Sequence, residues 1–143
     1  LAAYLALVTD IAINPESGVI RVLRAYATMD AGRIISPDGA RNQIEGGIIQ
    51  ATSWTLKEAV KNSTSSIESI DWASYPIIGF DEIPEIEVTL INNPQLRPLG
   101  VGEAAQGPTA AAIANAVADA TGSRLRDLPL TAERVIAALP PAA

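Results

Sequence analysis

Apolar positions along this chain repeat with two different periods. Residues 3–13 (AYLALVTDIAI) and 19–28 (VIRVLRAYAT) are dense in apolar and β-branched types. Between them NPESG (Asn14–Gly18) has the length and composition of a hairpin loop, so two antiparallel strands are predicted. The spacing then changes: Ala40, Ile44, Ile48, Ala51, Thr55 and Ala59 recur every three or four residues, on one helical face. Ser36-Pro37-Asp38 ahead of them supplies a hydroxyl N-cap, a proline for the first helical position and an acid at the positive dipole end. A helix from Pro37 to about Lys61 follows. Gly46-Gly47 sits in its middle, where each glycine costs about 1 kcal/mol relative to Ala. Something must therefore approach that backbone closely.

Asn62–Phe80 shows no clean period and is predicted as a long loop, of a length that tends to be functional or to lie over a neighbour. IEVTLI (Ile86–Ile91) alternates and reads as a further strand, whereas NNPQLRPLGVG, with Pro94, Pro98, Gly100 and Gly102, has no regular structure. Two helices close the chain: Thr109 to about Thr121, ended by Gly122, and Thr131–Leu139 with Thr131 as cap. The order β-β-α-β-α-α predicts one α+β domain over 1–143. Its sheet is antiparallel or mixed, a hairpin plus a further strand, with the long helix and the two C-terminal helices packed on it.

Composition narrows the chemistry. The chain has 143 residues, enough for one core, and is 48% hydrophobic but only 4% aromatic, so aliphatic side chains do the burying. A net charge of −6 argues against nucleic acid or an anionic membrane as partner. With Cys 0 and His 0, disulfides, thiolate catalysis, imidazole bases and the usual zinc ligands are all excluded. The start LAAYLALV lacks the basic region of a secretory signal and is too short to span a bilayer. Opening inside a predicted strand without an initiator Met, the chain reads as a fragment or a processed subunit.

Gly100-Val101-Gly102-Glu103-Ala104-Ala105 fits G-x-G-x-x-A, but the context argues against a dinucleotide site, which stays the weakest of the readings. That fingerprint places its glycines directly between strand and helix, with an acid about 20 residues on at the end of a second strand. Here Asn92–Leu99 intervenes, and the next acid, Asp119, falls in a helix. Glu103 keeps two readings. It is a solvated loop carboxylate or helix-dipole partner, or it is a catalytic base on a glycine-braced loop, where an apolar pocket would favour general-base action. Gln43 with Gly46-Gly47 is likewise open: a seat for another helix, or a ligand contact. The small-sided helix Ala110–Ala120 suits tight packing between neighbours, with Asn115 expected on a buried surface, bonded to backbone in a nearby loop. Arg124, Arg126 and Asp127 read as a solvated surface loop.

Taken in order, VIRVLRAYATMD, AGRIISPDGARNQIEGGIIQA and RPLGVGEAAQGPTAAAIANAVADATGSRLRDLPLT resemble the C-terminal part of the large subunit of the molybdenum hydroxylases. This is the xanthine dehydrogenase and aldehyde oxidoreductase family, and within it the bacterial branch with isoquinoline 1-oxidoreductase and nicotinate dehydrogenase beta subunits. The resemblance implies Glu103 as general base in hydroxylation of an N-heteroaromatic or aldehyde substrate with oxygen from water. It implies cofactor contacts from Gly100, Val101 and Gly102, with Gln43 as a further cofactor-facing group, and no metal ligand from this chain. The implied cofactors are a molybdenum-bearing molybdopterin cytosine dinucleotide and 2Fe-2S clusters on a partner subunit. The implied partners are the remainder of the large subunit, that iron–sulfur subunit and a small-molecule substrate. Relatives commonly carry proline after the glutamate; here Ala104-Ala105 follow. On this reading the chain is incomplete alone, and its docking face should make it self-associate. The alternative is a noncatalytic structural or interaction domain derived from the same family.

Overall fold

A computed structural model describes residues 2–139. The predicted hairpin is present as β1 (Tyr4–Ile13) and β2 (Ile20–Asp30), paired antiparallel from Tyr4↔Asp30 to Ile13↔Ile20. The register slips between Asp10 and Ile11, so that Leu23 has no partner opposite it. Asn14 shapes the turn, its Oδ1 accepting the N–H groups of Glu16 and Ser17. After β2 comes α1 (Pro37–Leu56), capped by Ser36, whose Oγ accepts the Gly39 N–H. The chain then returns to form β3 (Glu85–Ile91) alongside β2, in parallel, with Arg24↔Glu85 and Asp30↔Ile91 at the two ends of the register. A parallel neighbour needs a crossover connection, and α1 provides it. The sheet order is β1-β2-β3. Helices α2 (Gln106–Thr121) and α3 (Ala132–Ala138) complete an α+β fold.

One face of the sheet carries the core. Ala25, Ala27 and Met29 of β2 are buried against Ile44 and Ile48 of α1, flanked by Leu5, Leu7, Val88 and Leu90. A second cluster joins Val22 to Ile113 and Val117 of α2 and to Leu130 ahead of α3. The opposite face is uncovered, and Tyr4 and Val8 are exposed on it.

Several expectations from the sequence need correcting. The long helix stops at Leu56, well before Lys61: the Lys57 and Glu58 amides both turn back to the Ser53 carbonyl, and Ala59 lies beyond the helix. Lys57 is instead drawn to Glu82, at 2.5 Å, and Glu58 accepts the Tyr75 hydroxyl proton. α2 starts at Gln106 because Thr109 does not cap it; the buried Thr109 hydroxyl donates back to the Ala105 carbonyl at 2.7 Å. Asn115 is exposed rather than buried, since it lies on the α2 face turned away from Ile113 and Val117, and its Oδ1 accepts from Arg124 at 2.8 Å. Of the paired helix glycines, only Gly47 has the close neighbour expected. A Cβ there would sit 3.3 Å from the Ala105 Cβ, whereas Gly46 faces open space.

Candidate functional site

Two remote stretches are strapped together beneath the glycine loop. The turn after β2 and the proline-rich segment after β3 meet because β2 and β3 are parallel and end at the same edge of the sheet. Leu99 N–H donates to Ala31 O, and Asn93 N–H to Gly32 O, each at 2.9 Å. The Asn93 amide also donates to Asp30 Oδ2 at 2.8 Å, and Ile34 N–H to Asn92 Oδ1 at 3.0 Å. Arg33 clamps the Pro94 carbonyl through Nε and Nη2, at 3.0 and 2.6 Å. These contacts replace regular pairing where the prolines forbid it.

From this base the loop alternates. Leu99, Val101, Ala104 and Ala105 pack on the core cluster, while Gly100, Gly102 and Glu103 are exposed. Gln43 reaches across from α1 and donates a hydrogen bond from Nε2 to the Gly102 carbonyl at 2.6 Å. Thus the fold brings Gln43, 59 positions away in sequence, onto the contiguous stretch Gly100–Glu103. Among the described residues, no acceptor bonds the amides of Gly100, Val101, Gly102 or Glu103. A Cβ at Gly100 or Gly102 would meet nothing within 4 Å. Unspent amide donors beside uncrowded backbone suit a large group bearing anionic or acceptor atoms.

The surroundings of Glu103 are more open than an enclosed base requires. The nearest hollow, about 240 Å³ between Ala31, Ile34, Ala40, Leu99 and Val101, is apolar but small for a ligand pocket, which usually begins near 300 Å³. A larger cleft, about 430 Å³, opens at the far end of α1 among Ile20, Leu56, Lys57, Glu82 and Leu130; none of the sequence-selected residues line it. Only the smaller of the two touches the glycine loop, through Leu99 and Val101.

Residues 1–84 match the molybdopterin cofactor-binding domain family. The chain belongs to that family. It is 48% identical over 138 residues, 96% of its length, to a nicotinate dehydrogenase subunit of Pseudomonas putida. It is 34% identical over 128 residues, 90% of its length, to the beta subunit of the Brevundimonas diminuta isoquinoline 1-oxidoreductase. It spans only 12% and 16% of the lengths of those two relatives. Its fold superposes on the aldehyde oxidoreductase of Desulfovibrio desulfuricans with a TM-score of 0.87 at 27% identity, over 96% of this chain and 16% of that one. The family match ends before the loop of Glu103, but both relatives align over nearly all of the chain.

Sequence reasoning missed the straps from Asp30, Arg33, Asn92 and Asn93, and the contact of Gln106 with Gln50. Asp30-Ala31-Gly32 and Asn92-Asn93-Pro94 are turn signatures that mark both strap segments. Nothing local indicates that they bond to each other.

Proposed function

We propose that this chain is the C-terminal part of the molybdopterin-binding large subunit of a molybdenum hydroxylase, and that Glu103 is its general base. The substrate class is an N-heteroaromatic compound or an aldehyde, in line with the names of its relatives. The observation that carries this reading is the loop itself: an exposed carboxylate beside free backbone amides, braced from behind by Gln43.

The cofactor, a molybdopterin cytosine dinucleotide on this reading, would supply two-electron oxidation with water as oxygen source when bound, together with 2Fe-2S clusters on an iron–sulfur partner. The amides of Gly100, Val101 and Gly102 hold its acceptor atoms, and the absence of side chains at the glycines permits close approach. Gln43 holds the Gly102 carbonyl turned away from that surface. Glu103 takes a proton at its carboxylate oxygen, in a site closed by residues from elsewhere in the large subunit, since this chain leaves it open. The remainder of the large subunit also covers the apolar surface around Ile70, Trp72 and Phe80, which are 82%, 74% and 96% exposed. Taken alone, the chain self-associates through such surface.

Replacing Glu103 with Gln in the complete enzyme should lower turnover by roughly 10²–10⁴-fold, the usual yield of general-base catalysis, with molybdenum content unchanged. Normal turnover at full molybdenum content would sink the assignment.

A further inference from the structure

Gln43, Gly47 and Gln50 follow one another on α1 at spacings of four and three residues, which sets them in one stripe about 10 Å long. Each meets a different residue of the segment carrying Glu103. Gln43 donates to the Gly102 carbonyl at 2.6 Å. Gly47 seats Ala105 closely enough that even a methyl group there would crowd it. Gln50 Oε1 accepts a hydrogen bond from Gln106 Nε2 at 2.9 Å. Glu103 thus lies between two side-chain anchors, one residue after the first and three before the second. The intervening turn runs straight into α2, whose first residue is Gln106. The Gln50–Gln106 bond therefore ties the first residue of α2 to α1, at the point where the turn bearing Glu103 ends.

We infer that Gln50 and Gln106 are positioning residues for Glu103, closing from the α2 side the clamp that Gln43 closes from the other. This inference rests on Glu103 being the general base. Neither glutamine touches the reacting centre; both act through the turn. A bound geometry set wrong by a fraction of an ångström lowers turnover without weakening substrate binding. The loss should therefore appear in kcat and not in KM.

The test uses Gln50→Met, Gln106→Met and the double variant in the holoenzyme. Methionine keeps the length of the side chain and removes the amide. Each single change should lower kcat about tenfold, the equivalent of one lost hydrogen bond, with KM and molybdenum content unchanged. The double variant should lose no more than either single, because both remove the same bond. Hydrogen exchange of the Gln106 and Thr109 amides, which bond to the Glu103 and Ala105 carbonyls, should quicken in all three. Unchanged exchange overturns the clamp whatever the activity. Quickened exchange with unchanged kcat, or additive losses in the double variant, overturns the positioning role. Should Glu103→Gln stay active, the base assignment falls, and the exchange measurement still decides whether the clamp exists.

Discussion

Two glycines next to the base-bearing loop do opposite work. Gly32 has φ +71, and a Cβ on it would lie 2.4 Å from the Arg97 carbonyl oxygen, so it is needed both for its own conformation and for the approach of the strap segment. Gly102 has no positive φ and faces open space, so the fold makes no demand on it. Gly32→Ala should cost at least about 2 kcal/mol and lower the melting temperature by several degrees. Gly102→Ala should leave thermal stability within about 0.5 kcal/mol of the parent. In the complete enzyme it should nevertheless reduce molybdenum content, because its new methyl group occupies the surface proposed to receive the cofactor. Full loading of Gly102→Ala would remove that surface from the cofactor contact. At this scale the sequence singles out Glu103 and the glycines before it, because the motif is contiguous and local. Sequence reading failed for Asn115, whose exposure depends on which face of α2 meets the sheet.

At the scale of elements, an ion pair lies just past the C-terminal end of α1, between Lys57 and Glu82. Glu82 sits in the short 3-10 turn Phe80–Glu82 and accepts from the Gly79 N–H at 2.8 Å as well as from Lys57. Burial works to raise its pKa, but the Gly79 amide and the Lys57 ammonium outweigh it, with help from Arg21, and hold the carboxyl below its ordinary value. A carboxyl held low stabilises the fold fully above the ordinary glutamate range, and that stabilisation is lost as pH falls through the depressed value. Glu82→Gln should accordingly cost about 1 kcal/mol at neutral pH, since the side chains are one-third exposed, and the difference from the parent should vanish in strong acid. Urea unfolding of both proteins across pH checks it; a difference that persists at low pH would rule out the ionised pair as its source. The start of α1 was legible because Ser36 and Pro37 are local signals. Its end was not, because no glycine or proline marks it.

Across the whole molecule, one sheet face is buried under helices, while Trp72 and Phe80, between α1 and β3, stand in solvent. The chain by itself should sediment as a self-associating species at micromolar concentration. The pair Trp72→Ser and Phe80→Ser should shift it toward monomer with little loss of stability, since neither side chain is in the core. A clean monomer for the parent would count against a docking face here. The order of elements, the hairpin and the α+β class were written in the sequence, because apolar periodicity, caps and turn residues act over a few positions at a time. So was the glycine-flanked glutamate. Only the tertiary structure decided that β3 lies parallel to β2, and so brings Asn92–Leu99 against Asp30–Ile34 beneath the loop. It alone set Gln43 and Gln50 on either side of Glu103. Such pairings join residues some sixty positions apart, and no local preference encodes them. They follow from which apolar faces bury one another, a property of the folded chain as a whole.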